Sequence, residues 1–284
     1  MKYLIAGASG QLAKAFIARF EQTGTEFDAP PETEFDITDS TAVERIFAGS
    51  KPDVIINCAA YNNVDAAENN PQPAFSINAE AVKILADAAA KSGAVLVHYG
   101  TDYVFDGKTE KPYCEDDAAA PLNAYGESKL AGENIALESE AESLMLRLSW
   151  VYGDGTQNFL HKMLQWSDGR DVLKVVWDQI SVPTYTEDIV TYTLKALDKK
   201  LRGCYHLTNS GYATRYEVAK CFFKCISNDT ILIPVGSDAF PSPVKRPFFS
   251  AMSNKKLSDN LNENIPSWED ALKRFVAKMK DLKI

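Results

Sequence analysis

Tyr3-Leu4-Ile5-Ala6-Gly7-Ala8-Ser9-Gly10-Gln11-Leu12-Ala13 opens the chain with a short apolar run, a glycine turn and the start of a helical pattern. Consecutive apolar residues suit a strand covered on both faces, and Leu12, Ala15, Phe16 and Phe20 recur behind it at helical spacing. Glycine between the two lets the backbone approach a pyrophosphate, while the helix N-terminus offers N–H donors and a positive dipole end. The spacing is GxxGxxA rather than GxGxxG, and a glycine turn at such a junction is also a common structural device. The later segments of the chain decide between these readings. Val54-Ile55-Ile56, Ala94-Val95-Leu96-Val97 and Leu144-Met145-Leu146 repeat the apolar run, separated by helical segments near 74–91 and 122–138. This alternation predicts an α/β fold with a Rossmann-type, doubly wound parallel sheet.

Beyond about Trp150 the alternation weakens. Helical patterns near 158–166, 186–199, 215–225 and 268–279 surround a strand-like run at 204–207, and Pro234, Pro241, Pro243 and Pro247 mark an extended loop region. The reading is a dinucleotide-binding domain over 1–150 and a smaller lobe over 151–284. Segments near 172–180 and 203–208 are expected to return to the first domain.

The 284 residues are 45% hydrophobic and 24% charged, enough apolar content for a sizeable core. A formal net charge of −9 argues against holding nucleic acid or an anionic membrane on a basic face. An anionic small molecule remains open to such a chain. Cys58, Cys114, Cys204, Cys221 and Cys225 form an odd, scattered set without a CxxC pair, as in a reducing cytosol. His98, His161 and His206 are equally dispersed, so no zinc-ligand spacing exists. The first apolar run is too short for a signal peptide, and no stretch approaches the ~20 residues of a membrane span. The expected location is cytoplasmic.

A second chemical site is Tyr125-Gly126-Glu127-Ser128-Lys129, where four residues of helix put Tyr125 and Lys129 on one face. An ammonium there lowers a phenol pKa toward the range useful for acid catalysis. Tyr216 and Lys220 form the same pair, but late, where the sheet pattern has faded, and read as packing. Tyr125 instead follows the cofactor-type strands and Gly100-Thr101-Asp102-Tyr103, a strand end whose hydroxyl can reach a carbonyl oxygen. Near a second strand, Asp28 and Glu32 are candidates to read a ribose, and no Arg or Lys stands in 25–32 to neutralise a 2′-phosphate. NADH is therefore expected over NADPH.

The glycine turn, Asn57-Cys58-Ala59-Ala60-Tyr61, Gly100-Thr101-Asp102-Tyr103-Val104-Phe105-Asp106-Gly107, Pro121-Leu122-Asn123-Ala124-Tyr125-Gly126-Glu127-Ser128-Lys129 and Ser149-Trp150-Val151-Tyr152 stand in fixed order. With Asp178-Gln179-Ile180-Ser181-Val182-Pro183-Thr184 and Arg246-Pro247, they make the chain resemble an extended short-chain dehydrogenase/reductase over nearly its whole length. Within that superfamily it most resembles the dTDP-4-dehydrorhamnose reductase family. The resemblance implies a Rossmann-type domain, a nucleotide-sugar lobe and an active site in the cleft between them. It assigns Gly7, Gly10, Gln11 and Leu12 to the dinucleotide phosphates, Asp36 and Ile37 to the adenine, and Ala59, Ala60 and Tyr61 to the cofactor on the next strand. Thr101, Tyr125 and Lys129 become the catalytic triad, the last two also touching cofactor. Thr101, Asp102 and Trp150 become substrate contacts. Arg246 suits a substrate pyrophosphate or, equally, an exposed ion pair. Three positions depart from the family pattern: Ala13 for a third glycine, Gly100 for a common serine, and Ser181 for a glycine.

The implied activity is reduction, by NADH or NADPH, of the C4 keto group of dTDP-4-dehydro-6-deoxy-L-mannose to dTDP-L-rhamnose, in the synthesis of cell-surface polysaccharide. Two alternatives accompany it. One is a nucleotide-sugar epimerase or dehydratase that recycles its cofactor, although a dehydratase usually has Asp-Glu after the threonine where this chain has Asp102-Tyr103. The other is a non-catalytic subunit resembling the regulatory subunit of methionine adenosyltransferase. A homodimer is compatible with the family. Some relatives use Mg²⁺ at a dimer contact, but no carboxylate cluster in this sequence calls for a metal.

Overall fold

The structure is a computed structural model that describes residues 1–281. The chain runs β1 (Tyr3–Ala6), α1 (Gln11–Thr23), β2 (Phe27–Asp28), α2 (Ser40–Ser50), β3 (Val54–Asn57), α3 (Val64–Asn69) and α4 (Gln72–Phe75). A π-turn at Ser76–Glu80 joins α4 to α5 (Ala81–Ser92), followed by β4 (Val95–Thr101), α6 (Ala124–Glu138) and β5 (Ser143–Leu148). Next come β6 (Val151–Tyr152), α7 (Phe159–Ser167), β7 (Val172–Val176), β8 (Ile180–Ser181), β9 (Thr184–Tyr185), α8 (Thr186–Asp198) and β10 (Gly203–His206). The last elements are β11 (Ala213–Thr214), α9 (Arg215–Ile226), β12 (Ile231–Val235), α10 (Lys255–Leu261) and α11 (Trp268–Asp281).

Six parallel strands form the main sheet in the order β10-β5-β4-β3-β1-β2. Their apolar runs are continuous because both faces are covered, and the two-residue period sorts them. Tyr3, Ile5, Val54, Ile56, Val97 and Leu146 join Phe16 and Phe20 of α1, Ile189 and Leu197 of α8 and Leu257 of α10 in one core layer. Leu4, Ile55 and Leu96 face the other layer, with Val43 of α2, Leu85 of α5 and Ala136 of α6. After β1 the chain turns one way to β2 and then crosses to β3 on the other side. That reversal opens a crevice at the carboxyl ends of β1 and β3, where ligands of such sheets bind.

The second lobe is built around Tyr152, Met163, Leu173, Tyr185, Phe222, Trp268 and Phe275. β10 lies beside β5, so 203–206 is part of the main sheet. The segment expected to return near 172–180 does not: β7 pairs with β12 in a separate parallel ribbon. Leu173 and Val175 pack inward while Val172 stays 44% exposed, a half-wet strand unlike the covered strands of the main sheet. Pro234 lies within β12, where a two-stranded ribbon leaves its missing N–H on an open edge. The cut near residue 150 is likewise crossed twice, since α8 and α10 pack on the main sheet.

Candidate active site

The glycine turn sits at the crevice. Gly7 has φ of +75°, and a Cβ there would come within 2.7 Å of the Ala59 nitrogen, so only glycine lets the turn press against the end of β3. Gly10 is the N-cap of α1, with no side-chain cap and no acid in the first turn. By contrast Asp39, Asn123, Asn158 and Thr214 cap α2, α6, α7 and α9. The α1 N–H groups are thus left open toward the crevice, as an anion site requires. Gln11 donates to the Val151 carbonyl (3.3 Å), and its buried Oε1 has no partner among the described residues. These features fit a dinucleotide. Ala13 is fully buried in the α1 layer, so the third glycine is replaced by a packed methyl.

On the far side of the crevice, Asp36 caps its own turn by accepting from Thr38 N (2.9 Å) and Thr38 Oγ1 (2.7 Å), while Ile37 is buried. Asp28, a candidate ribose reader, is already held by Lys2 (2.9 Å) and Ser50 (2.6 Å), which draw its carboxyl below the usual range. Glu32 is exposed.

α6 carries Tyr125 and Lys129, and two glycines set how close it comes. A Cβ on Gly126 would overlap the Tyr103 carbonyl oxygen, and one on Gly132 would overlap the Asn78 carbonyl oxygen in the π-turn. Asn78 is buried and bonds three ways: it accepts from Tyr61 N (2.8 Å) and donates to Tyr61 O (3.0 Å) and Ser128 Oγ (3.0 Å). One side chain therefore fixes the Ala59-Ala60-Tyr61 loop against α6. Neither Asn78 nor Gly132 was expected at the site; their signal was an amide among apolar residues and a glycine inside a helix.

Thr101 ends β4 within hydrogen-bonding reach of the Tyr125 phenol, and Tyr125 donates weakly to Asn62 Oδ1 at 3.4 Å. The expectation that Lys129 lowers the phenol pKa is corrected. Burial dominates and raises it, with Thr101 pulling the other way. Lys129 is turned to the Tyr99 carbonyl (2.6 Å), and burial lowers its own ammonium to about 8. Tyr125 is thus held as a neutral phenol, the form that can donate a proton.

Asp102 also departs from expectation. It is 2% exposed, and its Oδ2 accepts from Ser181 (2.8 Å) and Ser250 (2.5 Å) while Oδ1 accepts from Thr101 (3.3 Å). Its carboxylate therefore braces the threonine from inside and does not line the cavity. Ser181, where the resemblance implies glycine, supplies one of those hydroxyls. Gly100 is explained by space: a Cβ there would lie 2.5 Å from Met145 Cε and close to Glu133 and Arg147, which form a buried ion pair beneath the sheet end.

Leu122, Trp150 and Val151 line a cavity of about 1820 Å³ whose wall draws on both lobes. Trp150 has φ of +38°, a strained backbone for a non-glycine residue and a frequent mark of functional sites. Arg246 lines the cavity too, but its guanidinium grips Asp65 through both carboxylate oxygens at 2.9 Å, with Ser242 on the other edge. Of its two readings, the ion pair is the one present. Tyr216 is packed at the second lobe's core with the Lys220 ammonium 6.0 Å from its ring centre, away from the triad. Among the described residues no group of three or more His, Cys, Asp or Glu could hold a metal, and no helix is long and apolar enough to cross a membrane.

A family model described as the RmlD substrate binding domain matches residues 1–281. A dTDP-4-dehydrorhamnose reductase of Sinorhizobium fredii is 36% identical over 287 residues, 97% of each chain. A solved dTDP-4-dehydrorhamnose reductase from Clostridium acetobutylicum superposes with a TM-score of 0.95 at 36% identity, covering 99% of this chain and all of its own. One from Bacillus anthracis, in complex with NADP, gives 0.94 at 34% identity, covering 98% of this chain and 99% of its own.

Proposed function

The chain belongs to the RmlD substrate binding domain family of dTDP-4-dehydrorhamnose reductases, and from that premise we infer that it reduces the C4 carbonyl of dTDP-4-dehydro-6-deoxy-L-mannose to give dTDP-L-rhamnose. The observation that carries this reading is that Thr101 at the end of β4 meets the Tyr125 phenol on α6, four residues before Lys129, while Gln11 ties the uncapped start of α1 to the cavity-lining Val151. Gly7, Gly10, Gln11 and Leu12 would hold the dinucleotide phosphates. Asp36 and Ile37 would border its adenine, and Ala59, Ala60 and Tyr61 its nicotinamide half. The bound nicotinamide supplies a hydride. Tyr125, a neutral phenol, gives its proton to the C4 oxygen as charge builds there, and Thr101, turning its hydroxyl from its long bond to Asp102, donates a hydrogen bond to the same oxygen. Such groups lower the barrier because they act where the transition state develops charge. Lys129 holds the nicotinamide ribose and keeps a positive charge one helical turn from Tyr125. Trp150 offers a flat wall to the deoxysugar.

The charge on Lys129 gives a pH signature. An ammonium near 8 loses its proton as pH rises through that value, so kcat/KM for the reduced cofactor should fall on the alkaline side of about 8. A profile level across that range would remove Lys129's charge from the mechanism.

For the cofactor we favour NADH. Residues 25–39 contain no Lys or Arg and six acids, so a 2′-phosphate near that loop would meet like charge. Scattered free cysteines favour a reducing, cytoplasmic setting. The test is oxidation of NADH and of NADPH with the dTDP-4-keto-6-deoxy sugar, with and without a 3,5-epimerase. Stoichiometric consumption, with higher kcat/KM for NADH, is the expected result. No net consumption would favour an epimerase or a non-catalytic subunit, and a clear NADPH preference would overturn the cofactor choice alone.

A further inference from the structure

The cavity wall holds a cation that neither the triad nor the glycine turn uses. Arg215, the first residue of α9, lies with its guanidinium carbon 3.9 Å from the ring centre of Trp150 and 5.0 Å from that of Phe159. All three residues line the cavity. Of the other cavity cations, Arg246 is tied to Asp65 and Lys108 to Asp106, and Lys162, Arg170, Lys174 and Lys245 stack on no ring among the described residues. Arg215 makes no ion pair among the described residues, and the Asp102 carboxylate that acts on it at range already accepts from Ser181 and Ser250. Burial without a carboxylate partner pulls this guanidinium below its ordinary pKa. Such a half-buried cation, facing the cavity without a carboxylate, is one that an arriving group of opposite sign would satisfy.

Its position says what should arrive. Arg215 lies close enough to Tyr103 to act on its phenol electrostatically, and the Tyr103 ring packs edge-on against Tyr125 with centroids 5.8 Å apart. The cation is therefore about one ring's width from the phenol that protonates C4. In a nucleoside diphosphate sugar the diphosphate leaves from C1, across the pyranose ring from C4. Stacking on Trp150 fixes the guanidinium plane, so that its N–H edge can meet two phosphate oxygens side by side.

We propose that Arg215, stacked on Trp150, receives the diphosphate of the nucleotide-sugar and so sets the distance between that anion and the reacting carbonyl. This rests on the nucleotide-sugar reading above. The competing role for Arg215 is a prop that merely holds Trp150 in place. Titration calorimetry of the NADH-saturated enzyme with dTDP and with thymidine separates the two, using wild type, Arg215→Gln and Arg215→Lys. The expected result is dTDP binding weakened roughly ten- to a hundredfold in Arg215→Gln, the loss of hydrogen bonds to a charged group. Thymidine and NADH affinities should be unchanged, and Arg215→Lys should fall between. Equal dTDP affinity in wild type and Arg215→Gln, or equal loss of dTDP and thymidine, would overturn the proposal while leaving the reaction intact. If Arg215→Gln does not fold, Arg215→Lys decides by the same comparison. A wild-type enzyme that binds no dTDP would instead overturn the nucleotide-sugar reading beneath it.

Discussion

Tyr125→Phe is expected to lose about 10²- to 10⁴-fold in kcat, the usual worth of a positioned general acid. The substitution removes one oxygen and leaves the ring, its edge contact with Tyr103 and the helix that carries it. Cofactor affinity should change little, because the dinucleotide is assigned mainly to the α1 N-terminus, the loop after β3 and Lys129. The split is what matters. A fall in kcat with intact NADH binding marks the phenol as a proton donor, whereas parallel loss of both would mean that α6 had shifted. Near-wild-type turnover would dismiss Tyr125 as the acid.

Gly132→Ala should have the largest effect on the fold. The added methyl would occupy the space of the Asn78 carbonyl oxygen, a backbone atom in a π-turn whose side chain is already committed to Tyr61 and Ser128. Overpacking a tight interior typically costs about 1–3 kcal/mol, and here the obstacle cannot rotate away, so roughly 3 kcal/mol or more is expected. For a chain of this size that is a drop in Tm of about 6 to 12 °C. Gly24→Ala is the control: it also alters a glycine beside a helix, at φ +67°, but nothing lies within 4 Å of a Cβ there. Its cost should be only the ~1 kcal/mol of a left-handed backbone. Equal Tm values for the two variants would show that α6 can retreat from the π-turn. The surviving Gly132→Ala protein should also be slow, since α6 carries Tyr125 and Lys129.

The strands of the main sheet were legible because burial on both faces leaves runs such as Leu4-Ile5-Ala6 and Val54-Ile55-Ile56 almost free of polar residues. α6 was legible as a helical segment between two strands, although its buried face holds Ser128, Lys129 and Glu133 and apolar residues do not form a stripe. Thr101 and Tyr125 stand at the end of β4 and the start of α6, a placement legible as polar residues at element ends. Long-range partnership could not be read. Asp102 looks like a ligand contact in sequence, and only the approach of Ser181 and Ser250, 79 and 148 residues away, turns it inward. Arg246 became an ion pair through Asp65, 181 residues distant, and the β7–β12 ribbon depends on a strand that contains a proline. Arg215 gave no signal at all, since a lone arginine at a helix start is ordinarily solvated; its meaning lies in the two aromatic rings beneath it.

The central claim is that this cleft moves a hydride from a reduced nicotinamide to C4 of a dTDP-linked 4-keto sugar. It is tested most directly by supplying NADH deuterated at the nicotinamide C4 and reading the sugar product by NMR. One deuterium at C4 of the sugar per NADH consumed, with the rate of incorporation falling in step with turnover in Tyr125→Phe, is the expected result. Product free of deuterium, or a sugar altered without net oxidation of NADH, would contradict it.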